Sequence, residues 1–119
     1  MIVSAVVDRD NAPHYRWGKV CDGWRLLDEP QLSVIEEVVP PGSSEVRHHH
    51  ATARQFFYML DGVATLEIDG TALRIGAGQG AQVAPGQCHR LSNDEANTLR
   101  FLLCSAPNAC GDRFDEISS

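Results

Sequence analysis

Short apolar or alternating runs, broken every few residues by Gly, Pro, Asn or Asp, confine this chain to sheet structure. Candidate strands run over Ile2–Val7, Leu32–Val39, Val46–His50, Gln55–Leu60, Val63–Ile68, Ala72–Ile75, Ala81–Ala84, His89–Ser92 and Thr98–Ser105. Asp69-Gly70 lies between two such runs and predicts a two-residue type I′ hairpin, and Asp61-Gly62 predicts a second turn of the same kind. Pro40-Pro41-Gly42 ends a strand, because proline has no N–H to give to a ladder. No stretch carries the 3.6 period and caps of a long helix. Many short strands at regular spacing predict an all-β sandwich or barrel.

The 119 residues are expected to form one domain, with a barrel over 31–105, an N-terminal strand and aromatic arm over 1–30, and a tail over 106–119. Tyr15, Trp17 and Trp24 lie among polar residues, so 11–30 is expected to be an irregular arm packing its aromatics on the barrel or on a partner subunit. The Gly-, Asp- and Ser-rich tail is expected to fray. With 10 basic and 16 acidic residues and a net charge of -6, neither nucleic acid nor an anionic membrane surface is expected as a partner. No apolar run approaches the roughly 20 residues of a spanning helix. Met1 to Asp10 lacks a basic start and a long apolar core, so no secretory leader is expected and the cytoplasm is the expected compartment. Cys21, Cys88, Cys104 and Cys110 form no C-x-x-C pair and read as reduced thiols. Cys88 precedes His89 directly, so on a strand it faces the other way and is not counted as a ligand.

The chemistry is concentrated in two blocks. The first contains Gly42, His48, His50, Gln55 and Gly62; the second contains Gly78, Gly86, His89 and Asn93. Side chains alternate along an extended strand, so His48 and His50 share one face and His49 takes the other. Two imidazoles on one face, joined by a third His and an amide oxygen from elsewhere, can converge on one metal ion.

In these two blocks the chain resembles the cupin superfamily. Gly42, His48, His50 and Gly62 match the first cupin motif in identity and spacing, and Gln55 stands where the family has Glu. Gly78, Gly86, His89 and Asn93 match the second motif, with Ala84 at the expected Pro and Pro85 one place later. The resemblance implies a double-stranded antiparallel β-barrel of the jelly-roll type holding one divalent transition metal. It implies His48, His50 and His89 as ligands, Gln55 at the fourth position, and a homodimer. A swapped aromatic arm is one way to cover the barrel's edge strand in such a dimer.

Gln keeps an oxygen ligand but brings no charge, which weakens the case for iron-oxygenase chemistry and favours a Lewis-acid role. Zinc suits three imidazoles and an amide oxygen, with nickel, cobalt, copper, iron or manganese as alternatives. The expected guest is a small molecule with a carbonyl or enolisable group, and the expected reaction is of the cyclase or isomerase type. A similar arrangement occurs in small cupins proposed as polyketide cyclases. A metal-dependent dioxygenase and a pocket that binds without turnover are the competing expectations.

If Gln55 points inward, alternation carries Phe57 and Met59 inward as well. On the last long strand Phe101 and Leu103 share a face. Phe57, Met59 and Phe101 are the candidate pocket lining, an apolar one. Arg47 and Arg54 alternate away from His48 and Gln55 toward the surface. Glu36 and Glu67 are the carboxylates considered near the site, with exposure the default for both, and no general base is assigned. Asn93 is expected to close a turn through backbone hydrogen bonds.

Overall fold

The computed structural model describes residues 5–116. Among them there is no helix, and therefore none long and apolar enough to cross a membrane. Eleven strands follow one another: β1 His14–Trp17, β2 Cys21–Glu29, β3 Leu32–Val39, β4 His48–His49, β5 Arg54–Asp61, β6 Val63–Ile68, β7 Thr71–Gly76, β8 Gly80–Val83, β9 His89–Ser92, β10 Leu99–Ala106 and β11 Phe114–Asp115. A six-stranded sheet in the order β1-β2-β3-β10-β5-β8 faces a five-stranded sheet in the order β11-β4-β9-β6-β7. All pairings are antiparallel. The result is a jelly roll of two packed sheets rather than a closed barrel.

Alternation sets what faces inward. Along β5, Gln55, Phe57 and Met59 are buried while Arg54, Phe56 and Tyr58 are exposed. Val39, Leu66, Leu91, Leu99 and Phe101 join Phe57 and Met59 in one apolar core between the sheets. Fully burying a side chain of this size contributes roughly 1.5–3 kcal/mol, so this row is the main cohesive element of the fold.

Asp69 and Gly70 both have positive φ (48° and 91°), as a type I′ hairpin between β6 and β7 requires. Asp61-Gly62 departs from expectation. The strands it joins, β5 and β6, lie in different sheets, so it is a corner and not a hairpin. Gly62 has φ +85°, and a Cβ there would come within 2.8 Å of the Thr98 carbonyl oxygen, so the crossover needs glycine.

Three further expectations are corrected. Part of the expected strand Ile2–Val7 lies outside the described residues, and Ala5–Val7 form no strand. The segment expected to be an irregular arm is instead β1 and β2, registered onto β3 of the same chain. The described part of the tail expected to fray, 106–116, is held: Phe114 pairs with His49 and Asp115 with His48. The Asp112 carboxylate also accepts the backbone N–H groups of Ala51, Thr52 and Ala53 at 3.1, 2.9 and 2.9 Å. These bonds outweigh the composition, because each gives a backbone donor the partner that it needs.

Candidate functional site

His48 ends up opposite His89, because β4 pairs with β9 at that register. His50 follows one alternation later, on the same face, and Gln55 arrives from β5 in the other sheet. His48, His50 and His89 are buried, whereas His49 is only partly so and stacks on Phe114. One ring nitrogen from each of the three buried imidazoles lies within 4.8 Å of the others, a spacing at which they could hold a metal ion.

The hydrogen bonds decide which nitrogens these are. His48 Nδ1 meets the Val46 carbonyl at 2.7 Å, His50 Nδ1 meets the Asp112 carbonyl at 2.7 Å, and His89 Nδ1 meets the Gln87 carbonyl at 3.2 Å. A carbonyl only accepts, so each Nδ1 carries the proton and each Nε2 carries a lone pair. Burial pushes His48 down to about 3 and His89 to about 4, and lowers His50, so the lone pairs are available at neutral pH.

Gln55 is oriented in the same manner. Its Nε2 donates to Ser105 Oγ at 3.0 Å, directly across the β5–β10 register. Its Oε1 is left buried without a partner, and so is His89 Nε2. Buried polar atoms are rarely left unpaired, because each costs about 1–3 kcal/mol. An unpaired acceptor oxygen and an unpaired imidazole nitrogen, both lone-pair donors, are the atoms that a divalent cation satisfies. The residues therefore fit the metal that the fold implies.

The cavity beside these groups measures about 210 Å³. His48, His50, Gln55, Phe57 and Leu103 form one part of its wall, and Tyr15, Trp17, Arg25, Ile35, Glu37, Glu45 and Arg113 form the rest. Of the expected lining, only Phe57 reaches it. Met59 and Phe101, at 0% and 1% exposed, are packed into the core instead, and Leu103 takes the lining position on β10. Phe57 links the two regions, with its ring 6.0 Å from His89 and 5.8 Å from Phe101.

Glu36 and Glu67, for which exposure was the default expectation, stay out of the cavity wall, but Glu36 is buried and Glu67 partly so. Glu36 lies between Arg9 and Arg100, at 3.4 and 3.5 Å, and does not line the cavity. Glu67 is tied to Arg47 at 2.7 Å. Arg47 also pairs with Glu116, and Arg54 donates to Gln82, so neither arginine serves the cavity. Glu37 and Glu45 are the cavity carboxylates that the sequence did not single out. Trp17 was expected only to pack; it lines the cavity, and its indole N–H is buried without a partner. Asn93 behaves as expected: its Nδ2 donates to the Val39 and Asn97 carbonyls and its Oδ1 accepts from Glu95 N–H.

Two antiparallel sheets in this order, with three imidazoles gathered where they could hold a metal ion, describe a jelly-roll scaffold. The family model for the cupin domain matches residues 35–105, and the chain belongs to that family. It is 29% identical over 75 residues to an uncharacterized protein of Methanocaldococcus jannaschii, a match spanning 63% of this chain and 60% of the relative. Among solved structures, it is similar to the polyketide cyclase RemF of Streptomyces resistomycificus, with a TM-score of 0.82 and 20% identity, over 98% of this chain and 88% of that one. It is also similar to an uncharacterized conserved protein with a double-stranded β-helix domain from Klebsiella pneumoniae, with a TM-score of 0.80 and 20% identity, over 98% of this chain and 100% of that one. At these identities the structural likeness establishes the fold alone.

Proposed function

We propose that this cupin is a metal-dependent enzyme acting on a small carbonyl-containing or enolisable molecule, in a reaction of the cyclase or isomerase type. What carries the reading is the pair of buried, unpartnered atoms Gln55 Oε1 and His89 Nε2, with Gln55 in the wall of a cavity that is part apolar and part polar. His48, His50, His89 and Gln55 would hold one divalent ion, with zinc favoured by three neutral imidazoles and an amide oxygen. When bound, such an ion supplies Lewis-acid polarisation of a carbonyl oxygen.

The chain's own residues supply the rest. Phe57, Ile35 and Leu103 give a guest an apolar surface and displace water from it. The unpartnered indole N–H of Trp17 offers a guest oxygen a donor. A neutral amide at position 55 leaves the site without the carboxylate that iron oxygenases use, which favours polarisation over oxygen activation. The similarity in fold to a polyketide cyclase agrees with this choice of substrate class.

The test is elemental analysis of the purified protein, followed by turnover of a panel of polyketone and hydroxyketone compounds before and after chelation. We expect one transition metal per chain, with conversion lost on chelation and restored by zinc. A protein that contains no stoichiometric transition metal and cannot be loaded with one would overturn the reading.

A further inference from the structure

Across the cavity from the imidazoles, three strands bring three residues into one row. Tyr15 on β1 is registered with Gly23 on β2, and Gly23 with Glu37 on β3. The Tyr15 phenol lies flat across the middle strand and donates its O–H to Glu37 Oε2 at 2.6 Å. This crossing exists only because position 23 is glycine: a Cβ there would overlap the phenol ring at Cζ, Oη and Cε2. The Arg25 guanidinium covers the ring, 4.6 Å from its centre. Both Tyr15 and Glu37 line the cavity that His48, His50 and Gln55 also line.

Glu37 is 9% exposed, and among the described residues no Arg, Lys or His nitrogen comes within ion-pairing distance of it. A buried carboxyl normally has such a partner. The cavity's other carboxyl, Glu45, has structural work: its Oε1 accepts the Leu91 backbone N–H at 2.9 Å and so stitches its loop to β9. Glu37 has no such task. The phenol takes up Oε2, and Oε1 is the atom left for a guest.

We propose that Glu37, held in place by Tyr15 across Gly23, is the proton-transfer residue of this cavity. Its Oε1 takes a proton from the carbon next to a guest's carbonyl. The C–H bond breaks, its electron pair becomes the carbon–carbon double bond of the enolate, and the carbonyl oxygen takes the negative charge. Returning the proton to the same carbon completes an exchange; where that carbon bears a hydroxyl, passing the hydroxyl proton to the former carbonyl oxygen and the carried proton to the former carbonyl carbon completes an isomerisation, with no oxidant or reductant needed. This assignment rests on the carbonyl reading of the function.

The environment suits the task. Burial lifts Glu37 to about 7, against the opposing pull of the Tyr15 hydrogen bond, Arg113 and Arg25. A base poised near the working pH balances availability against proton affinity. The groups facing Glu37 are Tyr15 from β1, Cys21 and Arg25 from β2, Glu45 from the loop after β3, and Arg113 from the tail.

The test has two arms. In the first, zinc-loaded protein is incubated in deuterium oxide with hydroxyacetone and with acetophenone, and proton NMR follows deuterium uptake at the carbon next to the carbonyl. We expect exchange by the wild type and a loss of about 100-fold or more in Glu37→Gln at unchanged zinc content, the scale of general-base catalysis. Gly23→Ala, which displaces the phenol without removing either partner, should behave like Tyr15→Phe: exchange persists with its pH midpoint moved upward. Exchange in Glu37→Gln at the wild-type rate overturns the assignment and leaves the carbonyl reading standing. Absence of exchange with the zinc-loaded wild type overturns both. In the second arm, carbon-13 NMR titrates the Glu37 carboxyl in metal-free protein. We expect a midpoint near neutrality, raised further in Tyr15→Phe. A midpoint in the ordinary carboxylate range, unmoved in that variant, overturns the pairing.

Discussion

The two walls of one cavity are built by different means. On the imidazole wall, His48 and His50 are each tied through Nδ1 to a backbone carbonyl, as is their neighbour His89. On the opposite wall, Tyr15 and Glu37 hold each other through side-chain atoms alone, across a glycine. A ring tied to the main chain keeps its orientation when neighbouring side chains change. A side-chain pair loses its geometry as soon as either member is altered. The first wall suits a fixed electrophilic centre, and the second suits a group whose proton comes and goes.

The comparison breaks most sharply at the imidazoles. Replacing His48, His50 or His89 by Ala should weaken zinc binding by more than ~100-fold while both sheets remain folded, as read by competition with a chromophoric chelator and by circular dichroism. Unchanged affinity in any one of the three would remove that residue from the ligand set. A smaller loss should follow at Asp112, which touches no candidate ligand through its side chain but gathers the three backbone N–H groups after His50. We expect Asp112→Ala to lower zinc affinity by ~10-fold, with Asp112→Asn falling between it and the wild type. An Asp112→Ala protein with wild-type affinity would show that the clasp does not set the imidazole.

The carboxyl wall is probed by pH. Glu37 is lifted to about 7 in the folded protein from an ordinary value near 4.5. Between those values the folded state holds a proton that the unfolded state has lost, so stability falls as pH rises from about 4.5 to about 7. Glu37→Gln abolishes that fall. Its stability relative to the wild type should rise across this window by on the order of 2 kcal/mol and level off above it. Urea unfolding of the metal-free proteins at a series of pH values measures this, and a pH-independent difference would contradict it. The smallest effect concerns selectivity. Gln55→Glu adds ligand charge and should shift metal preference toward iron or manganese by a few-fold in mixed-metal loading, as read by elemental analysis. Unaltered preference would mean that position 55 does not sense the ion's charge.

The unequal construction also explains what could be read in advance. His48 and His50 are two residues apart, so alternation alone puts them on one face, and Gln55 then carries Phe57 inward by the same rule. The polar row Tyr15–Gly23–Glu37 depends on register between three strands, which no local pattern encodes. Which of Glu36 and Glu37 faces the cavity is a matter of phase. On β3 the inward Ser33, Ile35 and Val39 are hardly more apolar than the outward Val34 and Val38, so hydropathy is silent. Strands β1 and β2 were hidden for a related reason, since Asp22, Arg25, Asp28 and Glu29 blur the alternation of a strand near the sheet edge. Asp61-Gly62 resembles a hairpin turn in composition, and only the crossing of the chain between sheets distinguishes it. The tail is attached by hydrogen bonds to main-chain groups, which leave no trace in residue type.

One of those attachments ties the aim of a single ring to the far end of the chain. The carbonyl that sets the His50 ring belongs to a residue 62 positions further along the chain. Strands β1 to β10 all precede that residue, so a chain cut just short of Asp112 would keep ten of the eleven strands and lose that anchor. The scaffold and the aim of the third imidazole are therefore separable by truncation: the shortened protein would hold most of its jelly roll with one ring unaimed.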